Sequence, residues 1–189
     1  MPRPAIFLDR DDTLIENGSL PPEAFAARHH GDLCDPAWVR PLPGAIEACR
    51  RLARAGFALI VVSNQGLVAR GHGTIDQVEA TNDAMRRLFV DDQRRGLLAA
   101  IYYCPFHPIG RVPAFTREHT WRKPAPGMLL AAAAAFDIDL PRSWAIGDKP
   151  RDLESGRRAG VPDSNLLLVS AAFDLAAAAD RILAASPSQ

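Results

Sequence analysis

Carboxylates gather where two short apolar runs of this sequence end. Asp9, Asp11 and Asp12 follow Ala5–Leu8, and Asp148 and Asp152 follow Trp144–Ile146. Two aspartates two residues apart on an extended chain face the same way. One of such a pair can attack as a nucleophile while the other moves protons. Grouped carboxylates also suit a hard divalent cation. A third apolar run, Ala58–Val62, leads into Ser63-Asn64-Gln65-Gly66. A hydroxyl, an amide and backbone N–H groups at a strand end can cradle a phosphate. Lys123, between Arg122 and Pro124, would supply a positive charge. Nucleophile, proton carrier, phosphate cradle and cations are the parts that phosphoryl transfer needs. Each part alone has a plainer reading: acids in a turn, a helix N-cap, a solvated lysine, or an acidic helix start. Their joint arrival at strand ends favours chemistry.

The intervening sequence provides elements to position these groups. Ala5–Leu8, Ala58–Val62, Ala99–Tyr103, Trp144–Ile146 and Leu166–Val169 read as buried strands. Helical periodicity covers residues 44–55, 75–89, 127–136, 153–159 and 175–184, with Gly56 and Gly160 as stops. Alternating apolar strands and helices predict an α/β fold, a three-layer Rossmann-like parallel sheet with helices on both faces. Such sheets place ligands beyond the carboxyl ends of their strands, where the carboxylates, Ser63 and Asn64 lie. Residues 17–42 and 105–126 are long loops rich in turn formers, and loops of that length are usually functional or disordered. The whole chain, residues 1–189, reads as one domain with a frayed tail at 186–189.

DRDDT, VVSNQ, RKP and GDKPRD, in that order, resemble the four motifs of the haloacid dehalogenase superfamily. The resemblance covers nearly the whole chain, and it implies a phosphatase working through an aspartyl-phosphate. In that scheme Asp9 is the nucleophile, and Asp11 is the general acid and then the base. Mg²⁺ is held by the Asp9 carboxylate, the Asp11 backbone carbonyl and the Asp148 carboxylate. Ser63, Asn64 and Lys123 bind phosphoryl oxygens, Arg122 contacts the substrate, and Thr13, Lys149 and Asp152 stand behind them. Asp12 occupies a place where the family usually has glycine, so an additional carboxylate is expected near the site.

No large cap domain fits in this chain, so loops must set specificity. Residues 35–45, 64–71, 103–108 and 122–128 resemble the compact subgroup of D-glycero-D-manno-heptose 1,7-bisphosphate phosphatases and histidinol-phosphate phosphatases. The resemblance implies a small phosphorylated metabolite as substrate, foremost the heptose bisphosphate, with histidinol phosphate or another phosphate ester as alternatives. A non-catalytic homologue that binds a phosphorylated ligand is an alternative of a different class. Arg70 is a candidate for a second phosphate or a substrate carboxylate, whereas His72 is expected to be incidental. The subgroup also carries a structural zinc. Of its ligand positions this chain retains Cys104, His107 and His119, with Trp121 at another. Three ligands fall short of a tetrahedral set; the alternative is a loop held by proline and aromatic packing. His29 and His30 lie in the first long loop, as solvated residues or substrate contacts.

Bulk composition narrows the partners. The 22 basic and 22 acidic side chains balance, which gives no support for a nucleic-acid or membrane surface. Three cysteines, Cys34, Cys49 and Cys104, do not make a disulfide framework, and Cys49 falls in a helix as packing. The apolar run near the N-terminus is too short for a signal peptide. These features lead to the expectation of a cytoplasmic protein, and the lack of room for a cap makes a monomer the simplest one.

Overall fold

The computed structural model describes residues 2–25 and 31–185. Five strands form: β1 (Ala5–Leu8), β2 (Ala58–Asn64), β3 (Leu98–Cys104), β4 (Trp144–Gly147) and β5 (Leu166–Leu168). All neighbours are parallel, in the order β3-β2-β1-β4-β5. β1 is central because its four residues are all buried, so helices must cover both of its sides. The chain builds outward from β1 to β3 and then crosses back to β4. That reversal leaves a crevice outside the carboxyl ends of β1 and β4, where open α/β sheets bind ligands.

Alternation along the strands divides the core in two. Ile6, Leu8, Leu59, Val61 and Ile146 pack under α1 (Ala45–Arg54), α3 (Ile75–Leu88) and α6 (Leu175–Ala185). Ala5, Phe7, Ile60, Val62 and Ala145 face α4 (Gly127–Phe136) and α5 (Pro150–Ala159). Full burial of each Leu, Ile or Phe contributes roughly 1.5–3 kcal/mol. In α4 the alanine run keeps the helix narrow enough for Met128, Leu129 and Ala132 to reach the sheet. α3 begins with a reciprocal cap between Thr74 and Gln77.

The expected elements form with small boundary shifts. β2 and β3 extend through Asn64 and Cys104, while β5 ends at Leu168. α5 starts at Pro150 because proline is preorganised for a first helical position. A short α2 (Leu67–Arg70), not marked by the apolar pattern, follows β2. The first long loop contains 3₁₀ turns at Pro22–Ala24 and Pro36–Trp38. His29, His30 and the 186–189 tail lie outside the described residues. No helix among the described residues is long and apolar enough to cross a membrane. No cap domain interrupts the described α/β core.

Candidate active site

β1 delivers Asp9 to the crevice. The Asp9 N–H donates to the Ile146 carbonyl at 2.9 Å, so this residue remains tied to β4 as the chain leaves the sheet. Lys123 arrives from the second long loop. Its Nζ lies 2.6 Å from Asp9 Oδ1, 2.7 Å from Asp152 Oδ1 and 2.7 Å from the Val62 carbonyl. Asn64 secures this lysine: its amide donates to the Lys123 carbonyl at 3.0 Å, and its oxygen accepts from the Lys123 N–H at 2.9 Å. The Asn64 side chain therefore holds a loop, while the residue also lines the cavity beside Ser63. Its location at the end of β2 makes that long-range contact available. Asp152 anchors the start of α5 by accepting from the Lys149 N–H at 2.9 Å. Its carboxylate also fills space that a side chain at Gly147 would occupy, since a Cβ there would fall 2.4 Å from Asp152 Cβ.

Carboxylate oxygens of Asp9, Asp148 and Asp152 come within 4.8 Å of one another. This adds Asp152 to the carboxylates that could share a cation. Burial pushes the Asp9 carboxyl from 3.8 up to about 7; Lys123 opposes that rise, while Asp152 and Asp11 reinforce it. Burial would depress Lys123, but Asp9 and Asp152 outweigh it and hold the lysine above its ordinary value. Asp148 is also raised, mainly by burial, despite Lys149 Nζ at 2.6 Å. One buried ammonium shared by two carboxylates leaves the group rich in negative charge. An oxygen-ligated divalent cation fits this arrangement, in donor type and in charge.

Asp11 is held at both carboxylate oxygens. Arg10 Nε and a terminal nitrogen reach Oδ1 at 3.1 and 3.0 Å, and Gln65 Nε2 reaches Oδ2 at 3.0 Å. Arg10 is fully buried and also binds Asn82 Oδ1 and the Leu33 carbonyl. Asp12 adopts φ 54°, in the left-handed region that Asp tolerates comparatively well. Its Oδ1 accepts from the N–H groups of Asn17 and Gly18 at 3.0 and 2.7 Å. The additional carboxylate thus braces the first long loop while also lining the site. Thr13 is buried, and its hydroxyl has no hydrogen-bond partner among the described residues.

The carboxylates at the strand ends open onto a cavity of about 300 Å³. Asp9, Asp11, Ser63 and Asp148 form part of it, with Asn17, Gly31 and Arg151 at its wall. Arg70, His107 and Arg122 converge on Gly66. A Cβ there would lie 3.1 to 3.3 Å from all three side chains. Arg70 also pairs with buried Asp32, whose other oxygen lies 2.7 Å from His72 Nδ1. His72, expected to be incidental, therefore helps secure the first long loop.

The HAD-hydrolase-like family model matches residues 120–179. D-glycero-beta-D-manno-heptose-1,7-bisphosphate 7-phosphatase of Escherichia coli is 39% identical over 158 residues, covering 84% of this chain and 75% of that protein. The chain belongs to the haloacid dehalogenase-like phosphatases. Another relative, the D-glycero-D-manno-heptose-1,7-bisphosphate 7-phosphatase of Thermosynechococcus vestitus, is 40% identical over 163 residues, covering 85% of this chain and 76% of that protein. A crystal structure of D,D-heptose 1,7-bisphosphate phosphatase from B. bronchiseptica, complexed with magnesium and phosphate, matches with a TM-score of 0.72. The two share 28% sequence identity over 97% of this chain and 99% of that one.

In this haloacid dehalogenase-like chain, Cys104, His107 and His119 do not form a metal-ligand group; among the described residues only Asp9, Asp148 and Asp152 do. His107 Nδ1 lies 2.7 Å from the Ile109 carbonyl, and His119 Nδ1 accepts from the Trp121 N–H at 3.0 Å. His119 stacks on Phe106 at 4.2 Å, Arg117 covers Phe106, and Trp121 meets Tyr102 edge-on. These aromatic contacts pack the loop, as in the alternative that the sequence offered beside a zinc set. Sequence reasoning also missed the roles of Arg10, Asp32, Gln65 and Arg151. Arg10 and Gln65 stood inside quoted motifs, but their contacts required the fold; Asp32 had no local signal.

Proposed function

We propose that this protein hydrolyses the C7 phosphate of D-glycero-D-manno-heptose 1,7-bisphosphate. The observation that carries the chemistry is Asp9, buried at the crevice and clasped by Lys123, with Asp11 lining the same cavity. The named curated relatives support the substrate. Asp9 attacks phosphorus as the ester P–O bond breaks, and Asp11 gives its proton to the departing sugar oxygen. Water then attacks the aspartyl-phosphate and passes a proton to Asp11, releasing phosphate and restoring Asp9. Ser63 and Lys123 bind the transferring oxygens, and Lys123 offsets the charge on Asp9.

Mg²⁺ would be held by Asp9, Asp148 and the Asp11 carbonyl, with Asp152 behind them. When bound, it offsets charge on the transferring phosphoryl group. Arg122 and Arg70, with His107 nearby, form the basic side of the site for the phosphate that remains on the sugar. Asp152 orients Lys123 through their ion pair.

Phosphate release with Mg²⁺ should be compared across heptose and hexose bisphosphates, histidinol phosphate and nucleotides. The heptose bisphosphate should be preferred, and Asp9→Asn should abolish release. Preference for histidinol phosphate would reassign the substrate. Full release by Asp9→Asn would overturn the covalent mechanism.

A further inference from the structure

Gln65 occupies a buried junction between the proposed acid-base residue and the phosphate-binding serine. It is 2% exposed. Its Nε2 donates to Asp11 Oδ2 at 3.0 Å and to Ser63 Oγ at 2.8 Å. Its Oε1 accepts from Arg10 at 3.0 Å. The partners fix the orientation of this amide. Arginine has donors and no acceptor, so the amide oxygen must face Arg10 and the nitrogen must face the other two groups. Both amide hydrogens are then directed to acceptors.

This polarity has a consequence for Ser63. Because its oxygen receives a hydrogen from Gln65, its own hydroxyl hydrogen remains to be donated elsewhere. Ser63 is 2% exposed and lines the cavity beside Asp9. A phosphoryl oxygen on Asp9 is the acceptor that this arrangement suits. The same amide holds Asp11 Oδ2, while Arg10 holds Oδ1. Arg10 is secured by Asn82 and the Leu33 carbonyl, so the amide is braced from α3 and from the first long loop.

We propose that Gln65 is a positioning residue that sets the Ser63 hydroxyl as a donor to the phosphoryl group and aligns Asp11 for proton transfer. This rests on the phosphatase reading of Asp9, Asp11 and Ser63. Gln65 acts through its neighbours and does not touch the reacting atoms. Losing it should affect the chemical step more than ground-state binding, because the alignment matters most in the transition state.

The test is steady-state phosphate release with saturating Mg²⁺ and the preferred substrate, for Gln65→Met, Ser63→Ala and the double variant. Gln65→Met keeps a similar length and removes all three side-chain hydrogen bonds. It should lower kcat about 100-fold with little change in KM. In the Ser63→Ala background the same change should cost less, because the share of the loss that runs through the Ser63 hydroxyl is already gone and only the share through Asp11 remains. Gln65→Glu is the second variant, useful if the methionine protein does not fold. It retains an acceptor for Arg10 but removes both donors, and Ser63 would turn its hydrogen toward the new carboxylate. Its kcat should fall at least as far while the protein stays folded.

A folded Gln65→Met or Gln65→Glu protein with kcat within about threefold of wild type would overturn the proposal, since misaligned catalytic groups cost more. So would an equal loss from Gln65→Met in the wild-type and Ser63→Ala backgrounds. Failure of the underlying reading is distinguishable: Asp9→Asn, Asp11→Asn and Ser63→Ala would then each leave activity intact. Strong losses in those three with none at Gln65 would reject the positioning role alone.

Discussion

Asp9→Asn should stabilise the metal-free protein while removing its activity. Asp9 is 6% exposed, and its carboxyl is pushed from 3.8 to about 7, first by burial. A folded-state value above the unfolded one means that ionisation opposes folding. The penalty is absent below about pH 4, grows as pH rises, and is complete above about pH 7. That interval corresponds to about 4 kcal/mol at pH 8 and about 2 kcal/mol at pH 5. Asparagine keeps the shape and an oxygen for Lys123, without the charge; Lys123 retains its contacts with Asp152 and the Val62 carbonyl. Urea unfolding in EDTA, followed by tryptophan fluorescence, should show a higher midpoint for the variant at pH 8 and a smaller gain at pH 5. Mg²⁺ should then raise wild type more than the variant. A variant that is less stable than wild type at pH 8 in EDTA, or a gain that does not vary with pH, would refute this electrostatic reasoning.

Lys123→Met should abolish phosphate release and lower stability by about 3–5 kcal/mol, because it strands two buried carboxylates; chemical denaturation in EDTA at pH 8 would measure the loss. Arg122→Ala should raise KM for a sugar bisphosphate more than for a sugar monophosphate, and equal effects would count against its place beside a second phosphate. Asp12→Gly should destabilise the protein by about 1–2 kcal/mol, since Asn17 and Gly18 each lose a hydrogen bond to a carboxylate while glycine accepts the backbone angle. A thermal melt would check this, and an unchanged melt would show that the loop does not depend on the brace.

The strands were legible in the sequence because each is a short apolar run, and a fully buried parallel strand needs no partner to show that pattern. The motif residues Asp9, Ser63 and Asp148 were legible for a related reason. Asp9 and Asp148 follow β1 and β4 directly and Ser63 stands near the end of β2, so the fold class alone carries them to the crevice. Lys123 had the right chemical type, but only packing shows that it spans from Asp9 to Asp152. Other features were fixed by contacts between distant segments. Asp32 meets Arg70 and His72 across a loop, and Asn64 is turned to the Lys123 backbone. The Nδ1 atoms of His107 and His119 meet backbone groups, and Phe106 stacks on His119, contacts that the spacing of these residues did not show. Sequence determined the fold class and the chemical types delivered to the sheet edge, since both depend on local pattern. Tertiary structure decided each group's hydrogen-bond partner and charge environment, since those depend on residues far apart in the chain.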